Sequence, residues 1–515
     1  MSKRRDAGKE TWAALIDLVA AFDRVHRQML WSILAKKGVP AKLIDLIKCL
    51  YDGSTLNLDI DGVESKIDST TGVKQGDNLA SILFLMVVQA AIETMEWPDG
   101  CDPITLTAKF DGLVYGRNLK TKDGIAFTVR ELLYADDAGI LFNSRLDMQA
   151  GLDALVTHLS LFGLECHYSP EGTPPDDSKS QCVFFPAPNA TVTVADEQPI
   201  TISAHDVENR TFPAGAIPFV RTFKYLGSVL NQDLNDNADV ANRIRSAQAA
   251  FGALRCVFKI KTISLPSKKN LYLAAVLPML LFGSETWTMN SNNTNKLRRF
   301  HNDCIRSISG INRWKQWKCK ISNETLFKKI GVQPVEFYID LRTLRWIGHL
   351  SRMGNTRLPK MLFFSWDPTA LTVPLGRRAQ FGSRARTLLQ DLATSLTQPE
   401  QQRMADVDRT CDAKEKLKAA KQAVKMQGRK VGPAKKEGHA QYEAALQILH
   451  ILANQQGEAE ATLTTATSLS KFKQADFSSA PNHAAMKPIA NWMSFATNRE
   501  CWKAIVKNFV EKKYR

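Results

Sequence analysis

The sequence has no C-x-x-C pair among its nine scattered cysteines. That absence excludes a zinc knuckle and gives no disulfide framework, so an intracellular, reducing compartment, nucleus or cytoplasm, is the expectation. Long apolar runs are missing too. Leu79 to Val88 and Leu271 to Gly283, the latter broken by Pro278, fall short of the roughly 18 residues that a spanning helix needs, so no membrane span is expected. Residues 1–10 are basic and lead straight into a strand-like run, without the apolar core and cleavage site of a secretory signal. Acidic residues are the scarcer charge: 52 Asp+Glu against 68 Lys+Arg gives +16 and a pI near 9.3. Such an excess favours a polyanionic partner, because each neutralised phosphate releases counterions. With 23% charged and 44% hydrophobic residues the chain fits a folded protein, and 515 residues predict about two to four domains.

Taken in order, Ala13 to Ile16 reads as a short buried strand with Asp17 at its C-terminal end. Val25, Met29, Ile33 and Leu34 recur at helical spacing, and Leu43, Ile44, Ile47, Leu50 and Tyr51 make a second amphipathic helix. Leu56, Leu58 and Ile60 alternate with polar residues up to a hairpin dipeptide, Asp61-Gly62. A turn-rich loop, Gly72 to Asn78, precedes an apolar helix over about 79–95, which Asp77 or Asn78 can cap. Hairpins follow, then the run Tyr134-Ala135-Asp136-Asp137 between apolar flanks. Thr191 to Val194 and Ile200 to Ser203 predict a surface hairpin ahead of Phe223-Lys224-Tyr225-Leu226-Gly227. The order is that of an α+β layer, helices against one face of an antiparallel sheet.

From residue 239 onward the pattern is helical and basic, with predicted helices over 240–258, 268–281, 295–309 and 335–353. Arg243, Arg245, Lys259 and Lys261 are among its cations. Trp314, Trp317 and Trp346 interleave with Arg313, Lys315, Lys318 and Lys320; this pattern suits a nucleic-acid strand, or equally core anchors with solvated neighbours. Helices around 413–426, 441–452 and 491–507 are expected in the Ala/Gln/Lys-rich tail, with a looser stretch to Ser479.

Two adjacent carboxylates in an apolar hairpin are costly to bury unless paired or metal-bound. Asp17, Asp136 and Asp137 together are suited to a pair of Mg²⁺ ions, which prefer oxygen ligands, with Mn²⁺ as an alternative. In such sites the ions lie about 4 Å apart and serve phosphoryl transfer. A plainer reading stays open: Asp17 caps the following helix and the pair forms a polar turn.

The combination Asp17-x-x-x-Ala21-Phe22-Asp23, Gly72-Val73-Lys74-Gln75-Gly76, Tyr134-Ala135-Asp136-Asp137 and Phe223 to Gly227 resembles the reverse transcriptases of non-LTR (LINE-like) retrotransposons, over about residues 11–230. The segment from Arg243 to about Met361, with Arg345-Trp346-Ile347-Gly348-His349, is similar to their thumb and post-thumb region. The resemblance implies a right-hand polymerase palm, a mostly α-helical thumb and a helical C-terminal region. It implies an RNA template, a DNA primer whose 3′-hydroxyl attacks, and deoxynucleoside triphosphates. Asp17, Asp136 and Asp137 match the metal triad, and Phe22 matches the residue that closes the sugar pocket against a 2′-hydroxyl. Gln75, Gly76 and Lys179 match nucleotide and template contacts; Tyr134, Tyr225, Leu226 and Gly227 match primer contacts. Only 16 residues precede Asp17, so the family's fingers are expected to be largely missing, a truncation before the palm. The expected organisation is a basic segment 1–10, a palm 11–230 with an inserted hairpin at about 186–222, a thumb region 231–361 and a tail 362–515. The function implied is RNA-directed DNA polymerase; a catalytically impaired nucleic-acid-binding remnant is the alternative.

Overall fold

The computed structural model describes residues 1–60, 63–74, 76–114, 123–134, 137–174, 177–207, 210–369, 381–395 and 499–514, with isolated positions 419, 422, 492 and 496. The chain divides into two units. One comprises Met1–Ala108, Gly116–Asp239 and Ser365–Arg378; the other comprises Lys109–Tyr115, Val240–Phe364 and Ala379–Arg515.

In the first unit a short helix α1 (Ser2–Asp6) precedes strand β1 (Thr11–Ile16), and helices α2 (Arg27–Lys36) and α3 (Ala41–Tyr51) follow it. On α3, Ile44, Ile47 and Tyr51 are buried, whereas Leu43 and Leu50, expected on the same apolar face, are exposed. Strands β2 (Thr55–Ile60) and β3 (Val63–Asp68) pair with Ile60 opposite Val63; the expected Asp61-Gly62 turn lies outside the described residues. Helix α4 (Asn78–Glu93) starts where the Asp77 carboxylate accepts the Leu79 N–H at 3.0 Å, replacing one intrahelical partner that the first turn lacks. Strands β4 (Ile104–Ala108) and β5 (Ile125–Val129) pair, and β6 (Glu131–Tyr134) turns back into β7 (Asp137–Phe142). Helix α5 (Arg145–Leu161), capped by Ser144, leads to β8 (Ser169–Pro170) and β9 (Gln181–Phe185).

The central sheet runs β6-β7-β1-β9, antiparallel throughout. Alternation sorts its side chains. Trp12, Ala14, Ile16, Ile140, Phe142, Cys182 and Phe184 share one face and join α2, α4 and α5 in a single apolar core. Ala13, Leu15, Leu141, Val183 and Phe185 occupy the other face, where Phe185 meets Phe223 edge-on at 6.5 Å. The fold of this unit is mixed helix and antiparallel sheet.

The expected hairpin of residues 191–203 is corrected. Val194–Glu197 forms a 3-10 turn because the Asp196 carboxylate accepts both the Thr193 N–H and its hydroxyl at 2.7 Å, giving the backbone a local alternative to a ladder. Strand β10 (Ile200–Ile202) finds its partner much later, and β11 (His205–Val207) and β12 (Arg210–Phe212) form a separate hairpin before it. That partner is β13 (Gly215–Ile217), which also pairs with β8. Strands β14 (Thr222–Tyr225) and β15 (Ser228–Asn231) close on a two-residue turn, Leu226-Gly227, with φ of 48° and 84°. Positive φ at both positions gives a turn whose twist matches the strands.

Helix α6 (Asn237–Ala253) opens the helical part, followed by α7 (Arg255–Lys259), α8 (Leu265–Leu271), a π turn at Tyr272–Val276 and α9 (Leu277–Leu280). Then come α10 (Ser291–Ser309), α11 (Arg313–Lys318), α12 (Asn323–Ile330), α13 (Val335–Arg352) and α14 (Leu358–Phe363). The short β16 (Ser365–Trp366) returns to pair with β4 in the first unit; α15 (Phe381–Ser395) and α16 (Arg499–Lys513) complete the second. Two apolar cores form here, one among α6 to α10 and α12, the other among α13, α15 and α16. The last of the three tail helices expected at 413–426, 441–452 and 491–507 is described from Arg499 and runs to Lys513; the other two lie outside the described residues. Gly348 lies under Trp502: a Cβ there would overlap the indole, whose N–H donates to the Leu344 carbonyl at 2.8 Å. Among the described residues no helix is long and apolar enough to cross a membrane, and Cys49, Cys101, Cys166, Cys182, Cys256, Cys304 and Cys319 are free.

Candidate active site

Asp17 follows the last residue of β1, and its backbone is fixed on both sides. Its N–H donates to the Ser180 hydroxyl at 3.0 Å, and its carbonyl accepts the His167 N–H at 2.9 Å. The Lys179 N–H in turn donates to His167 Nδ1 at 3.2 Å, so exposed Lys179 sits one residue from the group that holds Asp17. Cys166 below is fully buried, and burial first, then the Glu165 and Asp17 charges, push its thiol up to about 12.

The β1–β7 register sets Ile16 opposite Ala138. Asp17 and Asp137 are the next residues of the two chain segments beyond that pair, at the same end of the ladder. Tyr134 faces Asp137 from β6 and is 64% exposed. Residues directly opposite in an antiparallel pair have Cβ atoms about 5 Å apart, and like charges there repel. A bound cation reverses that sign, so Asp17 and Asp137, half-buried and offering only oxygen donors, fit a hard divalent ion. Asp136 and Gln75 lie outside the described residues; among the described ones no cluster of three metal-binding side chains occurs.

Tyr225 brings the β14–β15 hairpin to this face. Its hydroxyl donates to the Leu132 carbonyl at 3.3 Å, and burial, then the Asp137 charge, raise its pKa. Leu226, at φ 48° and 42% exposed, is held in a left-handed conformation unfavourable for a branched side chain.

Phe22 stacks on Phe84, ring centroids 4.7 Å apart, and its carbonyl accepts the Val73 N–H at 2.8 Å. The Gly72 N–H bonds the Val25 carbonyl at 2.9 Å, so the glycine loop lies directly on the turn after Asp17. Arg27 clamps that junction, donating to the carbonyls of Gly72 at 2.9 Å, Ser69 at 2.5 Å and Thr71 at 3.0 Å.

Residues 2–169 match the family model described as reverse transcriptase (RNA-dependent DNA polymerase). A Caenorhabditis elegans protein named as an uncharacterized transposon-derived protein is 27% identical over 262 residues, 50% of this chain and 79% of that one. The Pol polyprotein of the Drosophila melanogaster type-2 retrotransposable element R2DM is 22% identical over 362 residues, 68% of this chain and 29% of the polyprotein. That of the Nasonia vitripennis type-1 element R2 is 27% identical over 165 residues, 31% and 14%. This chain carries a reverse-transcriptase segment of the non-LTR retrotransposon kind. It spans a minor share of the R2 polyproteins it matches.

The reverse-transcriptase segment therefore holds Asp17, Phe22, Gly76, Tyr134 and Asp137 inside the matched range, with Lys179 and Tyr225 in the same unit beyond it. The basic residues expected to grip nucleic acid lie at the start of the helical part. Arg245, Lys259 and Lys261 are exposed. Arg243 departs from that expectation: it is 7% exposed, with its guanidinium 4.4 Å from the Phe282 ring centre, so its charge is turned inward. Ser180, His167 and Arg27 escaped sequence reasoning. Ser180 stands 163 residues from its partner, and no local pattern marks it or the other two.

Proposed function

We propose that the first unit is a polymerase palm acting as an RNA-directed DNA polymerase, with Asp17, Asp136 and Asp137 holding Mg²⁺, or Mn²⁺ in its place. The observation that carries this reading is that Asp17 and Asp137 come next to the Ile16–Ala138 pair at one end of the β1–β7 ladder, with Tyr134 opposite Asp137, in a segment matching the reverse-transcriptase family; Tyr225, beyond that segment, bonds the Leu132 carbonyl of the same hairpin. Bound there, the metal would lower the pKa of a primer 3′-hydroxyl and neutralise charge developing on a triphosphate. The residues of the chain supply the rest. Tyr134 and the Tyr225-Leu226-Gly227 turn line the side from which a DNA primer end would approach. Lys179, exposed and anchored through His167, offers a cation to the triphosphate of a deoxynucleotide. Gln75 and Gly76 are assigned contacts with the nucleotide and the RNA template on the family resemblance of the Gly72 to Gly76 motif. Phe22, held by its stacking on Phe84 and its bond to Val73, is assigned the role of excluding a 2′-hydroxyl; ribonucleotide incorporation by Phe22→Ala and not by the parent checks that role.

In this reading residues 231–361 form a basic thumb. The test is primer extension on a primed RNA template with Mg²⁺, with Asp136→Ala as the control. Incorporation above the control supports the polymerase. Incorporation equal to the control, with salt-dependent template binding retained, would leave only a nucleic-acid-binding remnant.

A further inference from the structure

All ten tryptophans fall on described residues, and they divide sharply. Trp12, Trp287, Trp366, Trp492 and Trp502 are buried; Trp31, Trp97 and Trp346 are half-buried. Trp314 and Trp317 alone are exposed, at 63% and 79%. Leaving two large rings in water forgoes the burial that the other eight obtain, which marks a surface shaped for contact. Trp346, grouped with them by sequence, packs on the α13–α16 core instead.

Both exposed rings sit on α11, three residues apart and so on one face. The helix is held firmly from behind. Asn312 caps it by accepting the Lys315 N–H at 2.7 Å, and Arg313 reaches both oxygens of Asp303 at 2.9 and 3.0 Å. Gln316 donates to Asn323 at 2.8 Å and accepts from Arg306 at 3.3 Å. The tryptophans thus project from a rigid turn, so little ordering remains when a ligand arrives. Lys318 Nζ lies 4.9 Å from the Trp314 ring centre, and a cleft of about 670 Å³ opens beside Trp317, with Lys320 and Ile321 on its wall. Residues 304–323 contain Arg306, Arg313, Lys315, Lys318 and Lys320 and no acidic residue.

We infer that Trp314, Trp317 and the lysines Lys315, Lys318 and Lys320 form a binding platform for a single nucleic-acid strand. The occupant follows from the chemistry. Three lysines within six residues offer phosphate contacts, and exposed indole faces accept bases. A duplex keeps its base faces stacked inward and would leave both rings in water, so the strand is unpaired. An acidic protein surface would satisfy the lysines but supplies no flat partner for two rings. The platform lies wholly in the second unit and uses none of the residues proposed for phosphoryl transfer.

The experiment measures fluorescence anisotropy of the full chain with a labelled single-stranded RNA oligonucleotide, with the matching DNA strand and a blunt duplex alongside. Base stacking on an aromatic ring amounts to about 1–3 kcal/mol per base, so W314A/W317A should weaken single-strand binding roughly 10-fold or more, with duplex binding and salt dependence unchanged. K315A/K318A/K320A should flatten the slope of log K against log salt by about 2, for three phosphates on a single strand. Both variants alter exposed side chains, and unchanged urea unfolding would show that they fold. D137N removes a catalytic carboxylate and should leave the tryptophan effect intact, so failure of the platform and failure of the polymerase reading give different results. Unchanged strand affinity in W314A/W317A would overturn the inference. Loss of self-association in that variant, without loss of strand binding, would assign the rings to a protein contact and overturn it equally.

Discussion

Gly72 is the point at which the loop before α4 rests on the turn after Asp17, and replacing it by alanine tests that contact. Its φ is 78°, and an added Cβ would lie 2.7 Å from the Asp23 carbonyl oxygen and 2.8 Å from the Asp23 Cα. These are backbone atoms that cannot swing aside. Left-handed backbone costs a non-glycine residue about 1–2 kcal/mol. Relief of the clash requires the loop to lift, breaking the Gly72–Val25 and Val73–Phe22 backbone hydrogen bonds, each contributing about 1 kcal/mol. Gly72→Ala should therefore lose about 3–4 kcal/mol in urea unfolding, and dNTP incorporation with it. Gly76→Ala is the matched control, because its φ is 86° and nothing lies within 4 Å of an added Cβ. Only the conformational cost remains there, about 1–2 kcal/mol. Equal losses in the two variants would refute the close approach of loop and turn.

Other substitutions and conditions probe the second unit. Gly348→Ala should displace Trp502 and uncouple α16 from α13, costing about 3 kcal/mol or more, as removal of a buried tryptophan does. The same change made in Trp502→Ala should cost far less, and equal costs in denaturant unfolding would contradict the contact. His301 is fully buried, its Nδ1 accepting from the Tyr272 hydroxyl at 2.7 Å and its Nε2–H donating to the Gln333 carbonyl at 3.0 Å. Burial lowers its pKa from 6.5 to about 4, so the unfolded chain binds a proton first and stability falls as pH drops from 6.5 toward 4, by roughly 3 kcal/mol in all. His301→Gln, which cannot titrate, should flatten that part of the stability profile.

Local periodicity made much of the site legible. The alternation around Ala13 to Ile16 and the Tyr134 to Asp137 run revealed β1 and the β6–β7 hairpin, and the Tyr225-Leu226-Gly227 turn announced its own strands. Contacts between distant segments had no such signal. Ser180 reaches Asp17 across 163 residues, and Trp502 reaches Leu344 across 158. The strand expected at Thr191 to Val194 failed because Asp196 bonds Thr193 locally, and β10 pairs instead with β13. Leu43 and Leu50 carried a helical apolar pattern, yet they face outward, since a pattern records spacing and not which neighbours cover it.

The most direct measurement is single-nucleotide incorporation by Asp17→Asn, Asp137→Asn and the double variant on a primed RNA template with Mg²⁺. Groups that share one site act as a unit, so each single change should abolish nearly all incorporation and the double change should add little. Primer–template affinity should stay within a few-fold of the parent. Incorporation persisting in either single variant, or falling in step with lost affinity, would contradict a shared metal site at Asp17 and Asp137.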